Sequence, residues 1–256
     1  MPREREGIDL DFIILGGDAR MPALAKLLRQ QGYTARHLQR PTADAANVVV
    51  NCPADGDLEV LEDIPAGARV YTCGPGHCDD PRVIDLWRDE TLQLDNAWLT
   101  AEGALCAAMQ AGRRSIRETR ALVIGWGRIG GALTELLVAL GTRVTVASRQ
   151  MTHRNRAIER GAEAVSSEDL PSVLPDIDLV FNTAPAMVLD GEALKYANRD
   201  AMLIDLASAP YGIDLRAAWS LGLRAWREPG LPGRYCPDSA AAALYRAILR
   251  GGAAHD

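Results

Sequence analysis

The segment Gly125-Trp-Gly127-Arg-Ile-Gly130 constrains this chain more than any other, because of what flanks it. It follows the apolar run Ala121 to Ile124 and opens a stretch in which Ile129, Leu133, Leu136, Leu137 and Leu140 fall on one helical face. That pattern predicts a strand, a glycine turn and a helix. The glycines have separate tasks: Gly125 permits the tight bend, Gly127 lets the backbone approach a pyrophosphate, and Gly130 lets helix and strand pack closely. Unpaired N–H groups and the positive end of the helix dipole then face the phosphates. With strand, helix and following strand all in place, the segment reads as a dinucleotide site rather than a bare connecting turn. Trp126, Arg128 and Ile129 belong to the same cofactor-binding stretch.

Around this turn the chain reads as a regular βα series. Strands are expected at Ala121 to Ile124, Arg143 to Ala147, Glu163 to Val165, Ile177 to Phe181, Met202 to Leu206 and Leu223 to Arg227, a number that suits a Rossmann sheet. The first part of the chain carries shorter runs at Leu10 to Leu15, Tyr33 to Leu38, Asn47 to Asn51 and Arg69 to Thr72, with a helix over Met21 to Gln31. The fold class is therefore α/β, with two Rossmann-like domains built on mostly parallel sheets, the C-terminal one binding a dinucleotide. The expected divisions are residues 1–95 as a substrate-side domain, 96–117 as a linking helix whose body runs from Leu99 to Met109 with Thr100 as the cap at its start, 118–235 as the Rossmann domain, and 236–256 as a terminal helix. By analogy with two-domain dehydrogenases, that last helix returns to the first domain.

Composition narrows the function class. The 256 residues hold 48% apolar and 24% charged side chains with a formal net charge of −6, and the basic residues form no block, which argues against nucleic acid as a partner. No apolar run reaches the length of a membrane span, so a soluble cytoplasmic protein is expected. The five cysteines are an odd, scattered set read as free thiols. His77 between Cys73 and Cys78 lacks a fourth ligand and fits no common zinc spacing, so no metal is expected.

The form of the cofactor follows from the end of the second Rossmann strand. Enzymes that use NAD place an Asp or Glu there for the ribose hydroxyls, whereas this chain reads Ala147-Ser148-Arg149. A hydroxyl and a guanidinium donate to a 2′-phosphate that a carboxylate would repel, which favours NADP over NAD. The alternative is that Arg149 is an ordinary surface arginine. Loops are expected after the later strands at Asn182 to Pro185, Asp205 to Pro210 and Pro229 to Gly233, and further cofactor contacts are sought there at Asn182, Thr183, Ala184 and Ser208, where turn chemistry alone equally explains the residue types. Asp205 is left without a catalytic role. No histidine lies between His153 and His255, so the later part of the chain offers no imidazole for the proton transfer a 2-hydroxyacid dehydrogenase needs, and the residues identify no catalytic base. On the first loop, Gly16-Gly-Asp18-Ala-Arg20, Arg20 either binds a substrate carboxylate or pairs with Asp18.

Seven stretches in order along the chain resemble the Rossmann-type, NADP-binding subunit of dipicolinate synthase. They are Ile14-Leu-Gly-Gly-Asp-Ala-Arg20, Thr100-Ala-Glu-Gly103, Gly125-Trp-Gly-Arg-Ile-Gly130, Ala147-Ser-Arg149, Asn182-Thr-Ala-Pro-Ala-Met187, Asp205-Leu-Ala-Ser208 and Pro229-Gly-Leu-Pro-Gly233. The resemblance implies oxidation of dihydrodipicolinate, a small dicarboxylate, to dipicolinate with NADP. It also implies a second, flavoprotein-like component of the enzyme as partner, a homo-oligomer, and work in the cytoplasm of the mother cell during sporulation. A non-catalytic NADP-binding scaffold or regulatory chain and a dehydrogenase of another small acid stay as alternatives.

Overall fold

The computed structural model describes residues 10–40, 45–51, 59–74, 76 and 79–253. The chain divides into two units, Met1–Asn96 with Pro232–Asp256, and Ala97–Leu231. Both are α/β with parallel sheets, as the run of short apolar segments predicts.

The first unit opens with β1 (Leu10–Leu15), α1 (Arg20–Gln30), β2 (Ala35–Leu38), β3 (Ala45–Asn51), β4 (Arg69–Cys73) and β5 (Val83–Asp85), followed by the start of α2 (Glu90–Ala111). Its strand order is β2-β1-β3-β4-β5. Alternation along β1 explains the layering: Phe12 and Ile14 face one core with Leu24 and Leu28 of α1, while Ile13 and Leu15 face a second core with Val48 and Val70. Strands covered on both faces read as continuous apolar runs. The first of these cores is completed by Ala241, Leu244, Ala247 and Ile248 of the last helix, α8 (Pro237–Ala253), so the terminal segment belongs with the first unit.

The second unit holds the remainder of α2 and then β6 (Arg120–Ile124), α3 (Arg128–Ala139), β7 (Arg143–Ala147), α4 (Met151–Glu159), β8 (Glu163–Val165), α5 (Leu170–Val173), β9 (Leu179–Asn182), β10 (Met202–Asp205), α6 (Leu215–Ser220) and β11 (Arg224–Arg227). A five-residue helix, α7 (Leu231–Tyr235), precedes α8. The order β8-β7-β6-β9-β10-β11 is that of a Rossmann sheet, and every pairing is parallel.

Three expectations are corrected. The helix expected at Leu99 begins nine residues earlier, at Glu90, so Thr100 is a buried mid-helix residue and not a cap. Asp89 caps it instead, its Oδ1 accepting from the N–H groups of Thr91 and Leu92 at 2.9 and 3.2 Å. The polar residues 93, 95 and 96 hide this first part from a periodicity reading, although Leu92 and Ala97 are buried. Strand β5 is three residues long and half-buried, too short to leave an alternating signal. The segment Pro229–Gly233, expected as a loop, turns into α7 at Leu231. Among the described residues no helix is long and apolar enough to cross a membrane. His77 and Cys78 lie outside the described residues, and Cys73 is buried in β4 with its thiol donating to the carbonyl of Val50.

Candidate functional site: a dinucleotide crevice in the second unit

Strand order in the second sheet reverses between β6 and β9, and an open parallel sheet leaves a crevice at the carboxyl ends of such a pair. The glycine turn leaves β6 there. The N–H of Gly125 donates to the carbonyl of Ala147, tying the turn to the end of β7 at 3.0 Å. Gly125 adopts φ +100°, which side chains disfavour, and a Cβ on it would lie 2.7 Å from Thr183 Oγ1. A Cβ on Gly130 would collide with the Gly125 carbonyl, so the close packing of α3 on the turn requires glycine at that position. Around Gly127, by contrast, the space that a Cβ would take is open.

A pocket of about 470 Å³ opens over this turn. Gly125, Trp126 and Gly127 line one side, Ser148, Arg149 and Gln150 the end of β7, and Thr183 to Val188 the loop after β9. His153 of α4 and the Ser167-Glu168 turn close it. Arg128, Ile129 and Gly130 form the first turn of α3 and are not part of this lining.

The β7 end is tightly organised. Ser148 is buried, its Oγ lies 3.3 Å from His153 Nδ1, and it accepts from the Gln150 N–H at 3.4 Å. Arg154 donates through one terminal nitrogen to the carbonyls of both Ser148 and Arg149, at 2.7 and 2.9 Å. Arg149 itself is exposed. Sequence alone points to Ser148 and Arg149 but not to His153 and Arg154; their position in the first helical turn after the loop was the available signal.

The later candidates fare differently. Thr183 lines the pocket, yet its hydroxyl donates back to the Ile124 carbonyl at 2.9 Å and supports the glycine turn from below. Ala184 lines the pocket beside it. Asn182 is fully buried: its amide nitrogen donates to the Ala184 carbonyl and to Asp205 Oδ1 at 3.1 and 2.7 Å, and its oxygen accepts from the Ala184 N–H. Its side chain therefore shapes the loop and does not reach the pocket surface. Ser208 is exposed outside the pocket lining, and its carbonyl accepts from the Tyr211 N–H in a turn. Asp205 is the hub beneath both loops, accepting from Asn182 and from the N–H groups of Ala207, Gly212 and Ile213.

In the first unit, Arg20 opens α1 and is paired with Asp18, its Nε donating to the two carboxylate oxygens at 2.8 and 3.0 Å. Of the two roles set out for Arg20, the ion pair is therefore present. Gly233 lies against that carboxylate, in a space a Cβ would fill. A further cavity of about 500 Å³ sits at the opposite, amino-terminal end of the second sheet. Its arginines 114 and 120 are paired with Asp178 and Asp176, and it has no part of the glycine turn.

A glycine turn and pocket at the switch point of a 3-2-1-4-5-6 parallel sheet define a dinucleotide-binding Rossmann domain. Residues 84–211, half of the chain, match the family described as the D-isomer specific 2-hydroxyacid dehydrogenase, NAD binding domain, and the chain belongs to that family. The site is accordingly one for a nicotinamide dinucleotide.

Over 169 residues the chain is 31% identical to the A component of dipicolinate synthase of Bacillus subtilis (strain 168), a match that spans 66% of this chain and 57% of that protein. In fold it is similar to the A component of dipicolinate synthase from Bacillus halodurans, with a TM-score of 0.79 at 24% identity over 93% of this chain and 96% of that one. It is similar also to the corresponding dipicolinate synthase chain from Bacillus subtilis, with a TM-score of 0.75 at 23% identity over 96% of each chain. The expected resemblance to dipicolinate synthase is thus present.

Proposed function

We propose that this protein is the NADP-dependent component of a two-component enzyme that oxidises dihydrodipicolinate to dipicolinate. The observation that carries the cofactor half of this reading is the β7 end, where Ser148 and Arg149 line the pocket in place of a carboxylate. The substrate half rests on the similarity to dipicolinate synthase. The residues fit the cofactor: Gly127 leaves room for a phosphate against the backbone at the start of α3, and Thr183 and Ala184 floor the crevice.

When bound, the nicotinamide ring supplies a hydride acceptor. Loss of a hydride and a proton from the dihydropyridine leaves an aromatic ring, so the reaction is strongly downhill and the protein's task is to position the reactants. Water suffices as proton acceptor, which fits a chain with no histidine between His153 and His255. On this reading the partner is a flavoprotein-like second component, the chain self-associates, and the enzyme works in the cytoplasm of the mother cell of a spore former.

Calorimetry on the isolated protein tests the cofactor assignment. NADPH is expected to bind about 10-fold or more tightly than NADH, since a charged hydrogen-bonded contact contributes roughly 1.5–3 kcal/mol. Arg149→Asp is expected to narrow or reverse the difference. Equal affinities in the native protein would sink the assignment.

The substrate side is assigned to Arg20. A dicarboxylate needs fixed donors, and guanidinium matches carboxylate geometry with two parallel hydrogen bonds. The pairing with Asp18 engages Nε and fixes the side chain's direction. Arg20→Ala is expected to raise the KM for dihydrodipicolinate at least about 10-fold in the two-component assay while NADPH affinity stays the same. An unaltered KM removes Arg20 from the substrate site, and turnover that survives without this chain's nucleotide site favours a scaffold instead.

A further inference from the structure

The β7 end carries more chemistry than the serine and arginine already assigned. His153 sits in the first full turn of α4, half-buried, and lines the pocket with Ser148, Arg149 and Gln150. Its Nδ1 lies 3.3 Å from Ser148 Oγ, and the Gln150 N–H points at the same oxygen. Arg154, the next residue, turns its guanidinium onto the carbonyls of Ser148 and Arg149 and so holds the loop's backbone. Arg156 on the same helix is exposed. From the neighbouring elements, Arg149 of the β7–α4 loop and Glu168 of the turn after β8 share the pocket, and Glu168 is the one carboxylate among its described lining residues.

From this arrangement, and resting on the NADP reading above, we infer that His153 completes the 2′-phosphate site with Ser148 and Arg149, and that its charge sets how strongly NADP is preferred over NAD. The contact with Ser148 makes the effect larger than a bare charge. A neutral imidazole protonated at Nε2 takes its hydrogen bond from the serine hydroxyl, which turns that hydrogen away from an anion. A protonated imidazole donates from both nitrogens, so Nδ1–H gives to Ser148 Oγ and the hydroxyl hydrogen is released to an arriving phosphate. Protonation thereby adds one positive charge and frees one neutral donor at the same place. NADH has no 2′-phosphate and gains from neither.

The sign follows directly. Imidazoles gain their proton between about pH 5 and 8, so the preference is greatest on the acid side of that range and falls as pH rises through it. The second ionisation of the 2′-phosphate, near pH 6, acts in the opposite sense and equally on every variant, so comparison between variants removes it.

The test is the ratio of NADH to NADPH dissociation constants, measured by calorimetry at about pH 5.5 and 8.5, toward the acid end of the range in which imidazoles titrate and above it, for the native protein, His153→Gln and His153→Arg, each ratio being taken relative to that of His153→Gln at the same pH. In the native protein the ratio is expected to fall about 10-fold between the two pH values, the loss of one charge-assisted contact. The His153→Gln ratio itself is expected to be the lowest of the three and to carry only the trend of the phosphate, and the relative ratio of His153→Arg is expected to be high at both pH values, since its guanidinium stays charged throughout. NADH affinity within about 2-fold of native shows that each variant is folded. A native ratio that does not change with pH relative to His153→Gln, or a glutamine variant with the native ratio at the lower pH, overturns the inference and leaves the NADP reading in place. A native protein with no preference at either pH overturns both.

Discussion

Gly127→Val is expected to abolish nucleotide binding while leaving the protein folded. Gly127 is the residue before α3, it lines the pocket, and no protein atom lies within 4 Å of the place where its Cβ would be. The added Cβ therefore meets no neighbour and the substitution is expected to cost the fold little, but the side chain occupies the approach by which a phosphate reaches the N–H groups at the helix start. Losing two such charge-assisted bonds corresponds to about 100-fold or more in affinity. Calorimetry with NADPH and a thermal melt followed by circular dichroism check the two halves together. The expected pair is no measurable binding and a midpoint within about 2 °C of native. A valine variant that binds NADPH at native affinity would remove the phosphate role of the turn. Gly130 is the internal contrast, because a Cβ there strikes the Gly125 carbonyl, and Gly130→Val is expected to lower the melting midpoint as well.

Asp205→Ala is expected to produce the largest loss of stability in the second unit. The side chain is 1% exposed and receives four hydrogen bonds, from the Asn182 amide and from the N–H groups of Ala207, Gly212 and Ile213. Alanine leaves those donors unsatisfied in a site water does not reach, a cost of about 3–5 kcal/mol. For a unit of this size the midpoint should drop by roughly 10 °C or more. The same change frees Asn182, which holds the Ala184 backbone at the edge of the pocket, so NADPH affinity should fall as well. Urea melts give the first quantity and calorimetry below the new midpoint the second. A change of under about 1 kcal/mol would mean that the carboxyl group is not the hub its contacts describe.

These two residues show why the site is only partly legible in the sequence. The glycine turn can be read because its demands are local: the strand before it, the helix after it and the spacing of the three glycines are all close together in the chain. Ser148 and Arg149 can be read for the same reason, from their distance beyond the turn. His153 escapes because a histidine one turn into a polar helix looks like any solvated residue until its neighbour across the loop is known. Asn182 falls among the expected cofactor contacts because asparagine after a strand satisfies either a ligand or a turn. Its buried contact with Asp205, 23 residues away, decides for the turn.

The sequence by itself determined the α/β class, the parallel sheets and the dinucleotide turn, since apolar runs, glycine spacing and helical periodicity are set by neighbours within one or two turns of chain. It did not determine where α2 begins, because a helix whose first turns are mostly polar shows no stripe until Leu92 and Ala97 are seen buried. Nor did it determine which polar loop residues face the pocket. That was decided by hydrogen bonds between strand ends far apart in the chain, such as Thr183 to Ile124 across 59 residues. The tertiary structure alone brings those ends together, and a buried polar group turns toward whatever partner the assembled sheet puts beside it.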